Sequence, residues 1–358
     1  MPAQKRLNGI DLFRGIAILA VIILHSDEGI SNLPLIWQNI LYFCGFAVPF
    51  FLATSFYLGV KKIYLSQRKY QLKERLFRLL QPYVVWTIIY LIYKSAKYYI
   101  VGDTQQLSNL IQDPIGVLVL GGATFHLYFL PLLISGTILL YVIQRLIKKI
   151  ELKTTIGLLS LSLLTYEFLL QSGNAFDLQA SIAFQSLLQA ENFTQINPLV
   201  RITMTGVAWS LRCMPYIFLA AILNQLEINY KLKFTWQVTA IALAIFIVVN
   251  CGYLAILPSS LLEIIRGYSG LIFAIGLSNF IPNNPVISNL SICSFGIYLV
   301  HLIVVESLTA IDLKLEVSSQ LLLTTNLMIF SFISLAISWI ITSILLKRKL
   351  LSLLLFGI

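Results

Sequence analysis

Apolar segments of about twenty residues recur from the amino-terminal region to the end of this chain, and that recurrence leaves few folds open. A helix rises about 1.5 Å per residue, so roughly twenty residues cross a hydrocarbon core about 30 Å thick. No water reaches the backbone there, and a helix satisfies its own N–H and C=O groups. The expectation is an all-α, polytopic membrane helical bundle forming a single domain over residues 1–358. Ten transmembrane helices are predicted, at about 12–28, 39–60, 79–101, 124–146, 154–171, 204–224, 235–253, 261–281, 289–308 and 320–346. Only 11% of residues are charged, against about a quarter in a soluble protein. The longest polar connections, 102–122 and 171–200, are loop-sized and leave no room for a sizeable soluble domain. Lys5 and Arg6 ahead of an apolar core also fit a signal peptide. Asp11 and Arg14 interrupt that reading, and no small-residue cleavage site follows Leu24, so the segment is taken as the first helix.

A net charge of +10 raises the question of nucleic acid, and the placement of the charges answers it. Basic residues gather in alternate connections: Lys5 and Arg6; Lys61, Lys62, Arg68, Lys69, Lys73, Arg75 and Arg78; Arg145, Lys148, Lys149 and Lys153; Lys231 and Lys233; Lys347, Arg348 and Lys349. The opposite connections carry Asp27, Glu28, Asp103, Asp113, Asp177, Glu191, Asp312 and Glu316. That is a topology signal, with the basic side cytoplasmic and both termini on it. Nucleic acid is not an expected partner; the lipid bilayer is. Pro49, Pro131 and Pro215 fall inside predicted spans and predict kinks, whereas Pro34, Pro82, Pro114, Pro198, Pro258, Pro282 and Pro285 lie near span edges.

The first span carries Asp11, Arg14 and His25 in an otherwise apolar run. At about 100° per residue, Arg14 and His25 differ by roughly 20° around the axis, and Asp11 lies about 40° from His25. The axial distance from Arg14 to His25 is roughly 16 Å. Three ionisable groups on one stripe suggest a lined polar cavity rather than lipid anchoring. Arg14 by itself also fits snorkelling to the inner headgroups, but Asp11, three residues earlier, can neutralise it inside protein.

The chain has only three histidines, His25, His126 and His301, each in or beside a span. Imidazole both takes and gives a proton near neutrality, which invites a transfer role. Each histidine also fits a purely structural bond to a backbone carbonyl. Arg75 and Arg78 face the same way at the start of the third span, suiting a phosphorylated ligand or plain positive-inside anchoring. Glu167, Arg212, Glu263 and Arg266 are candidates for internal pairing, and Glu263 and Arg266, three apart, for pairing with each other. Cys44, Cys213, Cys251 and Cys293 lie far apart with no metal-binding spacing, and no metal is expected. The sequence has no Walker loop, GxGxxG, HExxH or GxSxG, which argues against ATP-driven transport, dinucleotide chemistry, zinc proteolysis and serine-elbow hydrolysis.

The segment Arg6-Leu-Asn-Gly-Ile-Asp11-Leu-Phe-Arg14-Gly-Ile-Ala-Ile-Leu, followed by His25, resembles the opening of the acyltransferase 3 family of integral membrane acyltransferases. Val48-Pro-Phe-Phe-Leu with Ser55, Arg75-Leu-Phe-Arg78 with Pro82-Tyr83, Phe125-His126-Leu-Tyr-Phe-Leu-Pro131 and Ser294-Phe-Gly-Ile-Tyr298-Leu-Val-His301 continue the likeness in the family's order. The chain departs from the family in having Ser55-Phe56-Tyr57 where Ser-Gly-Phe is usual, which bears on local packing. The resemblance implies transfer of an acyl group, usually acetyl, from cytoplasmic acyl-CoA as co-substrate. The acceptor would be a hydroxyl of a glycan, lipid-linked sugar or other small molecule, and the location a multi-pass membrane protein of the bacterial inner membrane. His25 would act as general base, Asp11 would orient or neutralise Arg14, and Arg14, Arg75 and Arg78 would hold the coenzyme. Tyr298 and His301 are secondary candidates on the acceptor's path, and His126 is read as structural. A competing class is a saccharide or small-molecule exporter that makes no bond, although no inverted repeat is visible. A non-catalytic scaffold leaves the one-face stripe of the first helix unexplained.

Overall fold

The computed structural model describes residues 7–28, 30, 32–65, 71–172, 197–315 and 323–358. Lys5, Arg6, Arg68, Lys69, Asp177, Glu191 and Glu316 lie outside the described residues. All described regular structure is helical: α1 (Asn8–Ile23), α2 (Leu35–Cys44), α3 (Ala47–Leu65), α4 (Leu72–Val101), α5 (Thr104–Gln112), α6 (Pro114–Leu118), a 3₁₀ turn (Phe125–Tyr128), α7 (Phe129–Lys149), α8 (Leu152–Gln171), α9 (Pro198–Asn229), α10 (Trp236–Asn250), α11 (Ser259–Leu277), α12 (Pro285–Leu315), α13 (Leu323–Leu346) and α14 (Lys349–Phe356).

Among the described residues, seven helical stretches are long and apolar enough to cross a membrane: 35–65, 72–101, 125–149, 198–229, 259–277, 285–310 and 323–346. The other three expected spans are also helical, as α1, α8 and α10, but α1 and α10 have only 16 and 15 residues. In α8 a series of Ser and Thr residues dilutes the apolar run.

Pro49 and Pro131 are each the third residue of a helix, where the missing N–H has no intrahelical acceptor to lose; Gly45 and Phe46 interrupt the apolar stretch before Pro49, and the 3₁₀ turn lies just before Pro131. Pro215 does lie inside a helix, α9. Pro82 also lies inside one, because α4 begins at Leu72, well before the apolar run.

The chain divides into two compact units, one of Met1–Ser55 with Lys231–Leu351, the other of Phe56–Tyr230 with Ser352–Ile358. In the first, α1 packs against α11, α12, α13 and α2, and α10 pairs with α11. The aromatic side of α1 is built on Phe13, whose ring lies 5.1 to 5.8 Å from those of Phe50, Phe246, Phe273 and Phe46. Gly9 brings the amino-terminal turn of α1 onto α11: a Cβ there would collide with the Ala274 carbonyl oxygen and the Ser278 N–H. The Gly9 N–H instead donates to Ser278 Oγ at 2.9 Å. On α13 the buried positions are Leu327, Ser331, Ser334, Ser338 and Thr342, a mostly small, hydroxyl-bearing stripe that lets α12 approach closely.

In the second unit α9 packs on α8 and α7, and α4 on α7, α5 and α6. Polar side chains tie the helix ends. Lys61 Nζ and the Tyr57 hydroxyl donate to the two carboxylate oxygens of Glu227, each at 2.7 Å. Gln225 donates to the Ile150 carbonyl at 3.1 Å and to the Tyr64 hydroxyl at 3.0 Å. Arg201 donates both Nη groups to Asp113 at 2.6 Å, and the same carboxylate accepts from the Gly116 N–H, capping α6. Burial alone would raise the Asp113 carboxyl, but the Arg201 and Gly116 hydrogen bonds outweigh it and hold it below the usual carboxylate range.

Two outcomes follow for stability, both read from thermal melting of the purified protein in detergent. Gly9→Ala should destabilise by about 1–3 kcal/mol through overpacking, whereas Gly157→Ala, where nothing lies within 4 Å, should stabilise by about 0.5–1 kcal/mol through helix propensity. Asp113→Asn should cost about 2 kcal/mol at neutral pH, less than a wholly buried pair because Asp113 is partly exposed. Because the native carboxyl lies below its unfolded value, the wild-type contribution is complete above roughly pH 4–5. It disappears as the pH falls through the depressed native pKa. The Asn variant should lose that part of the acid sensitivity.

Candidate functional site

The site is built on α1, whose two sides differ. Phe13 is two residues from Asp11, or about 200° around the helix, so the aromatic packing and the charged stripe occupy opposing sides. On the charged side α1 meets α12. Asp11 is buried, and its Oδ1 accepts from Ser291 Oγ at 2.6 Å. At the other end of α1 the rings of His25 and His301 stack, with centroids 5.6 Å apart and planes 29° from parallel. Asp11 and His25 therefore both face α12, as one stripe requires. Arg14, one turn beyond Asp11, is half-buried.

The regular helix stops two residues short of His25. Leu24 caps it, the His25 N–H donates to Ile22 O at 3.1 Å, and the Ser26 N–H to Ile23 O at 3.2 Å. These i to i−3 bonds wind the last turn at about 120° per residue. His25 is thereby carried roughly 40° beyond its ideal α-helical position, toward the azimuth of Asp11. Ser26 Oγ returns to the Ile22 carbonyl at 2.8 Å and accepts from Ser331 Oγ of α13 at 2.9 Å. The indole of the buried Trp37 donates to Asp27 at 3.3 Å.

The partner stripe on α12 runs Ser291, Ser294, Tyr298, His301, at steps of three, four and three. His301 is inaccessible to solvent, and its Nδ1 lies 2.7 Å from the Tyr298 carbonyl oxygen. A carbonyl only accepts, so Nδ1 carries the proton and Nε2 holds the lone pair. Tyr298 is buried, its ring 6.0 Å from that of His301 and nearly parallel to that of Phe295 at 6.5 Å. The ring stack and the Asp11–Ser291 bond are the two contacts that pair-by-pair sequence reading missed. The three-four-three spacing of polar residues on α12 was the available signal.

The other expected residues belong to the second unit. Arg75 and Arg78 lie in the first turns of α4, Arg75 half-buried against Gly59 and Arg78 exposed. The end of the chain lies along the same helix, with Gln81 donating to Leu353 O and Trp86 to Leu355 O, each at 2.9 Å. His126 is buried in the 3₁₀ turn, 3.4 Å from Thr124 Oγ1 and edge-on to Tyr90 at 5.1 Å. In the first unit, Arg266, expected to pair internally, has its Nε and Nη2 enclosed with no acceptor among the described residues. Among the described residues no three His, Cys, Asp or Glu side chains gather as a metal-binding group.

A model of the acyltransferase domain that defines the acyltransferase 3 family matches residues 7–343, and no curated protein or solved structure matches the chain. The match takes in the α1 stripe, its α12 partner and both arginines of α4. With nearly the whole chain covered, this multi-helix membrane protein belongs to the acyltransferase 3 family.

Proposed function

We propose that the protein moves an acyl group, usually acetyl, from acyl-CoA to a hydroxyl of a glycan, lipid-linked sugar or other small acceptor, with His25 as general base. The observation that carries this reading is the meeting of the α1 and α12 stripes. A half-buried imidazole is seated by stacking on a second imidazole whose tautomer a backbone carbonyl fixes. In the proposed step His25 takes the acceptor's hydroxyl proton as the oxygen attacks the thioester carbonyl carbon. The tetrahedral oxyanion then collapses, the C–S bond breaks, and the imidazolium returns the proton to the departing thiolate. General base catalysis of this kind contributes about 10²–10⁴-fold.

Asp11, anchored by Ser291, is proposed to orient or neutralise Arg14, and Arg14 to position the coenzyme. Arg75 and Arg78 are proposed as phosphate contacts because two guanidiniums one turn apart offer bidentate donors. Tyr298 and His301 are proposed to border the acceptor's path. The wider setting is ten spans in one acyltransferase domain, both termini cytoplasmic, in a bacterial inner membrane; the basic side of the charge distribution supports that orientation.

Purified protein with labelled acetyl-CoA tests the reading. His25→Ala should lower transfer to an acceptor, and thioester hydrolysis, by at least about a hundredfold while the protein still inserts and melts normally. Wild-type rates in that variant would sink the assignment. Arg75→Gln and Arg78→Gln should raise KM for acyl-CoA with kcat little changed, because a contact to remote phosphates is made equally in ground and transition states.

A further inference from the structure

A second polar site lies in the same unit, away from the α1–α12 stripe. The α10 and α11 helices run antiparallel. A Cβ on Gly276 would strike Thr239, and one on Gly270 would touch Phe246. Seven residues forward on α10 thus correspond to six back on α11, and four more residues bring Asn250 to the level of Arg266. Gly270, one turn along α11 from Arg266, packs on Phe13, so this level borders the aromatic side of α1 rather than the side of Asp11 and His25.

The Arg266 guanidinium lies over the ring of Tyr42, its carbon 4.4 Å from the centroid. Gly45 presses against the same group: a Cβ there would come within 3.2 Å of Nη1. Nε and Nη2 are shut off from solvent with no acceptor in reach among the described residues. Asn250 is wholly buried; its amide N–H donates to the Phe246 carbonyl at 2.7 Å, while its Oδ1 has no partner. Asn250 and Arg266 thus stand at one level of the helix pair, and between them carry two donors and one acceptor without a partner among the described residues. Tyr42, 38% exposed, stands at their outer side.

Guanidinium N–H groups enclosed without an acceptor are unfavourable, and so is a buried amide oxygen left bare. Neither Nε nor Nη2 bonds Glu263, the partner that the sequence allowed. We propose that Tyr42, Asn250 and Arg266 form a binding site for an oxyanion that also carries a hydroxyl. Nε and Nη2 donate in parallel to two oxygens of a carboxylate or phosphate, and the hydroxyl donates to Asn250 Oδ1. The parallel donors match the fork of a carboxylate or phosphate, and the aromatic face keeps the cation in place before the ligand arrives. Seven residues into α11, the site is about 10 Å along the helix from the connection between α10 and α11. An acidic saccharide and the headgroup of an anionic phospholipid share this chemistry.

The test is thermal melting of the full chain in phosphatidylcholine nanodiscs, titrated with glucuronate, inorganic phosphate or glucose, and repeated with phosphatidylglycerol in the disc. The site requires a rise in melting temperature with at least one of glucuronate, phosphate and phosphatidylglycerol, and none with glucose. Arg266→Met should abolish that response while raising the ligand-free melting temperature, because enclosed N–H groups without an acceptor have been replaced by a hydrophobe. Asn250→Leu should weaken a response to glucuronate or phosphatidylglycerol, which carry the hydroxyl, by about tenfold, the loss of one hydrogen bond. A response to soluble anions identifies a free ligand, and a response to phosphatidylglycerol alone identifies a lipid headgroup. No response to any of the three anions, or an unchanged response in Arg266→Met, overturns the proposal. The readout is binding, so its failure leaves acyl transfer by His25 standing, and the reverse holds too.

Discussion

A helix that carries a carboxylate, a guanidinium and an imidazole cannot face hydrocarbon, and the first unit is arranged around that constraint. Charged groups in lipid cost at least about 2.5–3.5 kcal/mol each on insertion scales, so α1 is shut in by α2, α11, α12 and α13. Close packing needs small residues at the contact, and Gly9 supplies one where α1 meets the α11 backbone. Opposite the charges, Phe13 and its four phenylalanine neighbours fix the rotation of α1 about its axis. With that rotation fixed, Asp11 and His25 are held against α12.

The α12 partner adds what α1 lacks. Ser291 gives Asp11 a donor at one end, and His301 gives His25 a flat surface at the other. A backbone carbonyl defines the tautomer of His301, so the orientation of one imidazole is traceable to main-chain geometry. Acyl transfer by a general base needs this kind of pre-set ring more than it needs many polar contacts, because a proton moves only along a short, aligned path.

The second unit uses the same physics for a different end. Its paired charges, Arg201 with Asp113 and Lys61 with Glu227, tie helix ends and connections together. Arg201 and Asp113 are 88 residues apart in sequence, and only the fold joins them. The prolines teach a related lesson: whether one kinks a helix depends on where the helix begins, and α3, α4 and α7 begin at places that hydropathy does not mark.

From the sequence alone came the helical class, since lipid admits no other economical way to satisfy this backbone, and the common stripe of Asp11, Arg14 and His25, since helical periodicity is rigid. The family likeness was legible for the same reason: its motifs are short, local and in order. Tertiary structure alone decided that His301 is the ring beside His25, that Ser291 is the donor to Asp11, and that the last turn of α1 tightens. It also left Nε and Nη2 of Arg266, beside Tyr42, with no acceptor among the described residues, where the sequence allowed a bond to Glu263. Contacts between residues hundreds of positions apart depend on how helices rotate and cross, and that is fixed by side-chain shape at every interface together rather than by any one segment's pattern.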